Sequence, residues 1–174
     1  MALEIYISKE NIKWIQSLSK VDEISCIIMG ASKVDNNLKL LLQSCLREIT
    51  TKNDNLLDVD RPLGTFSARI KIAYRLRLID KSLYESLELI RKIRNDLAHS
   101  SEVKSINESP INERILSLEG KLNSTKAWKM AIEHNGIPKN NKSKFSFAMI
   151  IFEAYFEASR KLNKNKKIIP ELIL

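Results

Sequence analysis

The chain has 174 residues, of which 44% are hydrophobic and 29% are charged, and its formal net charge is +8. With only four Gly and four Pro, it has too few turn residues for a β-sandwich or barrel, so the composition favours long helices. No apolar run is long enough to span a membrane and the first residues show no signal pattern, so we expect a cytoplasmic protein.

The predicted helices, in chain order, are residues 8–18, 21–49, 65–79, 82–99, 111–120, 128–133 and 143–162. Ser8 is the predicted N-cap of the first helix, and either Asp80 or Ser82 starts the fourth. Gly30 marks a close approach or a slight bend in the second helix. The third helix is apolar on more than one side, which predicts a central position.

No strand is predicted, so the expected fold class is all-α: an up-and-down bundle of four to five main helices with short accessory helices. We expect a single domain over residues 1–174, with a core at about 20–100 and a basic C-terminal helix at about 142–165. Cys26 and Cys45 fall at apolar positions of the second helix, which predicts buried thiols. No pattern indicates a metal site or a cofactor.

The C-terminal part of the chain is strongly basic. Between Lys139 and Lys167 there are eight Lys or Arg residues and two acids, Glu153 and Glu157, which leaves six of the eight net positive charges in this segment. A basic patch indicates binding to nucleic acid or to an anionic surface, and the alternative is a solvated, lysine-rich helix end. The candidate nucleic-acid-binding residues are Arg91, Lys92, Lys142, Lys144, Arg160 and Lys161.

The segment "KIRNDLAHSS", residues 92–101, carries the most informative motif. On an ideal helix Arg94 falls at the centre of the buried stripe formed by the apolar positions Leu83, Leu87, Ile90, Leu97 and Ala98. Arginine is rarely buried without a partner, so Arg94 is expected to meet an acid of another helix or to face an open cleft. Asp96 is placed to pair with Lys92 across one turn. His99 has a simpler explanation, because the helix macrodipole favours a cation at a C-terminus.

Positions 94 and 99 lie roughly 140° apart on an ideal helix. Arg94 and His99 can therefore act together only if the helix end distorts or a second subunit completes the site. The other histidine, His134, precedes a turn in "EHNG" and is expected at the surface.

"RNDLAH" resembles the R-N-x-x-A-H form of the motif of HEPN domains. "RPLGTFSARIKIAYRLRLI", residues 61–79, followed by "LELIRKIRNDLAH", resembles the core of mannitol operon repressor-like proteins, an all-helical group related to HEPN domains. The helix containing "GASKVDNNLKLLL" is similar to the helix that precedes this core. Together the resemblance covers about residues 20–100.

The HEPN resemblance implies a metal-independent endoribonuclease that acts as a homodimer, with RNA as substrate and an antitoxin or another regulatory protein as partner. Many such proteins are toxins or phage-defence effectors. In this scheme Arg94, Asn95 and His99 are the catalytic residues. Arginine suits the phosphoryl oxygens, and histidine suits proton transfer during attack by the 2′-hydroxyl.

The mannitol operon repressor resemblance implies instead a non-enzymatic transcriptional regulator that binds DNA or a partner protein. No helix-turn-helix with a basic recognition helix is apparent in the sequence. A third alternative is a helical scaffold in which Arg94 pairs with Asp35 or Glu88 of the other subunit.

Overall fold

The computed structural model describes residues 8–46, 55–99 and 105–164, and for His99 and residues 162–164 it describes the backbone alone. These residues form seven α-helices and no strand, which confirms the all-α class. The helices are α1 Lys9–Leu18, α2 Glu23–Cys45, α3 Phe66–Arg75, α4 Lys81–His99, α5 Ile111–Leu122, α6 Lys126–Asn135 and α7 Asn141–Lys164. No helix within the described ranges is both long and apolar enough to cross a membrane.

Side-chain caps fix where several helices begin. Ser8 caps α1, as predicted, by accepting a hydrogen bond from a first-turn N–H group at 3.3 Å. Asp80 caps α4 in the same way at 2.7 Å, so this helix begins one residue after Asp80 and Ser82 does not cap it. Thr65 caps α3 because its hydroxyl oxygen accepts a hydrogen bond of 3.1 Å from the backbone N–H of Ala68.

Helices α2 and α7 form the most extensive helix pair, and α1, α5 and α6 also pack on α7. Their close approach depends on Gly30. A Cβ atom there would lie 2.6 Å from Cε1 of Phe145 and 2.9 Å from Sδ of Met149. The structure thus confirms the predicted close approach at this glycine.

The central helix is α7, and the prediction that the third helix would be central is wrong. From Phe145 to Phe156, α7 buries side chains on nearly all of its sides. Helix α3 has one buried side and exposes Lys71 and Arg75 on the other. The sequence misleads here because Leu76 and Ile79 lie past the end of α3, in its connection to α4.

Helix α4 packs on α2, α3 and α5, and these neighbours set the orientation of the motif at its end. Its buried positions are Leu83, Ser86, Leu87, Ile90 and Ile93. The residues 94–98 that follow are partly or fully exposed. The motif therefore starts where the buried side of α4 ends.

The two cysteines differ in exposure. Cys26 is buried, as predicted, and burial raises the pKa of its thiol. Cys45 is exposed, so the prediction of burial is wrong for this residue. Its position explains the difference, because it lies in the final turn of α2, past Leu42, the last buried residue of that helix.

Candidate functional site

Arg94 lies at the edge of the buried side of α4, not at its centre. Ile93 is fully buried, whereas Arg94 is partly exposed and Ala98 is exposed. The buried side is turned toward Ile93 because α5 packs against that side of the helix and contacts Asp96. No hydrogen bond or ion pair joins the Arg94 guanidinium to another described residue. Its charge is therefore not neutralised within the part of the chain that the structure describes.

The two acids considered as partners for Arg94 are bound elsewhere. Arg69 contacts Asp35 at 2.5 Å, and Arg91 contacts Glu88 at 2.8 Å. Each acid thus already neutralises an arginine of its own chain, although the second oxygen of Glu88, Oε1, is buried and has no hydrogen-bond partner among the described residues. A scaffold in which either acid holds Arg94 of another subunit would have to share the carboxylate between two arginines.

Asp96 joins the motif to the neighbouring helix. Its carboxylate forms an ion pair with Arg114 of α5, and each of the two side chains is 26% exposed. The expected pair with Lys92 is not formed, and Lys92 points into solvent. Spacing along α4 could not reveal this contact, since Arg114 lies on a different helix.

Replacing Asp96 by alanine is expected to lower the free energy of unfolding by about 1 kcal/mol, because the partly exposed pair with Arg114 is lost. Arg94→Ala, two residues away, should change it by no more than about 0.5 kcal/mol. Urea denaturation of both variants measures the difference. A double-mutant cycle with Arg114→Ala isolates the pair, and a coupling energy of zero would contradict the assignment.

Asn95 and His99 complete the predicted catalytic set. Asn95 is partly exposed, and α4 remains α-helical up to His99. Because the helix end does not distort, positions 94 and 99 keep the separation of roughly 140° of a regular helix. The structure thus brings Arg94 and Asn95 to one helix end but does not bring positions 94 and 99 together within one chain. A site that uses both would need a second subunit.

The predicted nucleic-acid-binding residues of α4 differ from each other. Arg91 is held by Glu88, with hydrogen bonds of 2.8 and 3.2 Å. Lys92 is exposed and has no hydrogen bond or ion pair with another described residue. Of the two, Lys92 is the side chain that an external anion could reach without breaking an intramolecular pair.

The predicted basic residues of α7 are bound within the chain. Lys142 donates to the backbone carbonyl of Ser19 at 3.0 Å and also to that of Val21. Lys144 pairs with Glu119 at 2.8 Å. These contacts tie α7 to the end of α1 and to α5. Their part in nucleic-acid binding stays a prediction, with the added condition that such contacts would be given up.

Arg160 and Lys161 belong to a second group of polar contacts, on the side of α7 that faces α1 and α2. Arg160 donates to Oδ1 of Asn37 at 2.8 Å, and Asn37 donates to Glu153 at 2.5 Å. Lys161 lies 3.7 Å from Glu157. From the sequence, Glu153 and Glu157 only offset part of the basic charge of this segment, whereas in the structure both residues are buried.

Glu153 and Glu157 have opposite pKa shifts although they are one turn apart on α7. Burial raises the pKa of Glu153 above its ordinary value of 4.5, and the nearby Lys33, Asn37 and Arg160 offset this only in part. For Glu157 burial also acts upward, but hydrogen bonds from Ser8 and Asn11 outweigh it and lower the pKa. Glu153 is thus the carboxylate whose ionisation the fold opposes.

These shifts predict a pH-dependent difference between two matched variants. A raised pKa in the folded state means that ionisation of Glu153 reduces stability above pH 4.5, so the stability of Glu153→Gln relative to the wild type should increase between pH 4 and pH 8. Glu157→Gln should show the reverse trend, mainly below pH 4.5, because the stability that a lowered pKa contributes above pH 4.5 is lost as the pH falls through the folded-state pKa. Urea denaturation at neutral pH and at a series of pH values on both sides of 4.5 measures both effects, and parallel trends would contradict the prediction.

The residue that sequence reasoning missed is Arg69. It is 7% exposed and binds Asp35 of α2 together with the carbonyl oxygens of Leu57, Leu63 and Gly64. This arginine thus joins α3, α2 and the segment before α3. A signal was present, since Arg69 recurs with the buried Phe66, Ile70 and Ala73 at helical spacing.

The fold and this site define a class of protein: an all-helical bundle whose motif-bearing helix is fixed by α3 and α5 and presents Arg94, Asn95 and Lys92 at its end. The family model of the mannitol repressor, MtlR, matches residues 15–154. The chain belongs to the mannitol repressor family. The matched residues include α2 to α6 and the motif, which confirms the resemblance to mannitol operon repressor-like proteins.

Two curated relatives share a shorter stretch with the chain. They are the mannitol operon repressors of Escherichia coli strain K12 and of Escherichia coli O6:H1 strain CFT073, each 38% identical over 56 residues. That stretch is 32% of this chain and 29% of each relative, so the match spans less than a third of the relatives' length. No solved structure matches the chain.

Proposed function

We propose that this protein is a non-enzymatic regulator of transcription, which represses a sugar-alcohol operon by binding DNA or a partner protein. The observation that carries the proposal is the family match over residues 15–154. The curated relatives are named mannitol operon repressors. The mannitol operon is therefore the first operon to test.

Part of the motif on α4 has a structural role, because Asp96 fixes α4 to α5 through Arg114. The regular helix places positions 94 and 99 roughly 140° apart around its axis. Repression does not require the residues at these two positions to act together.

Deletion of the gene tests the proposal. We expect the transcripts of the mannitol-uptake operon to rise in the absence of mannitol, because the repressor is lost, and to fall again when the wild-type gene is restored. Quantitative sequencing of RNA measures both effects. Unchanged transcripts would contradict the proposal.

A matched complementation separates regulation from catalysis. The double variant Arg94→Ala/His99→Ala, if folded, should restore repression as well as the wild type does. If the variant loses both repression and RNA cleavage that the wild type shows, the result would favour a catalytic motif instead.

The second candidate function is that of a homodimeric, metal-independent HEPN ribonuclease, a toxin or phage-defence effector. The observation that favours it is the partly exposed Arg94, which no described residue neutralises. Arg94 would stabilise the pentavalent phosphate, and His99 would transfer the proton of the 2′-hydroxyl. Asn95 would orient the phosphate. Because positions 94 and 99 lie apart on one helix, the second subunit would supply the residue that completes the arginine–histidine pair.

Cleavage in the presence of EDTA tests this candidate. RNA products should end in a 2′,3′-cyclic phosphate, and Arg94→Ala or His99→Ala should abolish them. The control is Lys13→Ala, which replaces an exposed residue of α1. This variant should cleave RNA like the wild type. Cleavage that survives both motif substitutions would contradict the candidate.

A further inference from the structure

Helix α3 and the turn after it present an exposed face that contains no residue of the motif. The helix buries Phe66, Arg69, Ile70 and Ala73. The opposite side carries Lys71, Tyr74 and Arg75, and the following turn exposes Leu76 and Arg77. We call these five residues, with Tyr84 of α4, the α3 face.

Two tyrosines form an aromatic platform on this face. The ring centroids of Tyr74 and Tyr84 lie 4.6 Å apart, with 31° between the ring planes. The two rings are in contact and tilted against each other. Tyr74 as a whole residue is 37% exposed, so part of it remains accessible from solvent.

The positive charge of the α3 face is not neutralised by described residues. Lys71, Arg75 and Arg77 form no hydrogen bond or ion pair through their side chains with any residue that the structure describes. The sequence from residue 61 to residue 79 contains no acid. Lys144 and Arg160 of α7, in contrast, are bound within the chain. The α3 face is therefore the better anion-binding surface of the two.

Arg77 adopts a backbone conformation that residues with a side chain rarely take. Its φ angle is 58°, in the left-handed region, where Arg77 and Leu78 donate hydrogen bonds to Tyr74 and Ala73 in a helix-ending turn. Glycine is the usual residue here, and a side chain costs about 1 kcal/mol. The exposed arginine makes no contact that offsets this cost within the described structure.

We propose that the α3 face binds single-stranded nucleic acid. An unpaired base stacks on Tyr74, and Lys71, Arg75 and Arg77 contact the phosphates on either side of it. A cationic surface with a stacking aromatic is the arrangement that binds single strands without reading sequence. A duplex offers no free base face to Tyr74. A protein interface would need more apolar surface than the single exposed aliphatic side chain of Leu76.

This proposal goes beyond the proposed function, which names neither a single-stranded ligand nor a surface, and it can be tested on the purified full chain. The probe is a fluorescent single-stranded DNA of 20 nucleotides with a mixed sequence. DNA lacks the 2′-hydroxyl and so cannot be cleaved by attack of that group on the phosphate. Fluorescence anisotropy should show tighter binding to the single strand than to the duplex of the same sequence. The logarithm of affinity should fall with the logarithm of salt concentration at a slope of about −2, from three phosphate contacts.

Two triple variants separate this face from the net charge of the protein. Lys71→Gln/Arg75→Gln/Arg77→Gln should remove most of the salt dependence and most of the binding. The control, Lys9→Gln/Lys13→Gln/Lys20→Gln, removes the same charge from exposed positions in and just after α1 and should change affinity far less. Equal loss in both variants would overturn the proposal, as would a duplex that binds as tightly as the single strand.

Single substitutions test the two features that distinguish the α3 face. Tyr74→Leu should weaken binding by about 5- to 100-fold, the effect of losing one stacked base, whereas Tyr74→Phe should bind nearly as the wild type does. Arg77→Gly should bind more weakly and yet raise the melting temperature. If the wild type binds no oligonucleotide at low salt, the proposal is wrong and the face is left for an acidic protein partner.

Discussion

Arg69→Ala is expected to lower the free energy of unfolding by about 3–5 kcal/mol. The substitution leaves the partly buried carboxylate of Asp35 and three backbone carbonyl oxygens without the hydrogen-bond donor that they share. Arg69 binds the carboxylate of Asp35 at 2.5 Å, and its other hydrogen bonds reach the backbone of residues 57, 63 and 64. These contacts hold the segment before α3 against α2. The loss should therefore be several times that of an ordinary surface substitution.

Urea denaturation measures this effect, with Arg75→Ala as the matched control on the exposed side of the same helix. The control should change stability by no more than about 0.5 kcal/mol. Arg69→Lys should fall between the two, since lysine keeps the charge but cannot reproduce the planar set of donors. Equal stability of the two alanine variants would contradict the structural role of Arg69.

Gly30→Ala is expected to destabilise the fold by about 1–3 kcal/mol, the usual effect of overpacking a core. The added methyl group would lie 2.6 Å from Cε1 of Phe145 and 2.9 Å from Sδ of Met149. Both side chains are fully buried and have little room to retreat. Helix propensity alone acts in the other direction, since alanine is favoured over glycine within a helix.

Gly120 provides a control with the opposite expected sign. It lies within α5, and a Cβ atom there would meet nothing within 4 Å. Gly120→Ala should therefore stabilise the protein by about 0.5–1 kcal/mol through helix propensity alone. Thermal unfolding of both variants tests the pair. A stabilising effect of Gly30→Ala would show that α2 and α7 do not approach closely at this point.

The candidate site was predicted only in part from the sequence. Helical periodicity correctly placed residues 94–99 at the end of α4, and Asn95 and Arg94 do lie there. Periodicity alone could not orient the buried side of the helix, because that side is set by whichever helices pack against it. The contact of α5 with Asp96 turns the buried side toward Ile93 and leaves Arg94 partly exposed.

The basic patch shows the same limit more clearly. The sequence located the excess charge in the C-terminal helix, where Lys144 and Arg160 are bound by Glu119 and Asn37 from other helices. Lys71 and Arg75, which have no such partner among the described residues, lie on α3, the helix that the sequence predicted at the centre of the bundle. Counting charges along a chain does not tell which of them remain unpaired after folding.

What the sequence by itself determined is the all-α class, the approximate position of the helices and the cap at Ser8, because these depend on contacts within a few residues. The tertiary structure alone decided that α7 is central, that Arg69 is a buried anchor and that Arg94 has no partner among the described residues. Each of these depends on contacts between residues far apart in the chain. Such contacts arise only when the helices pack, and they leave no periodic signal in the sequence.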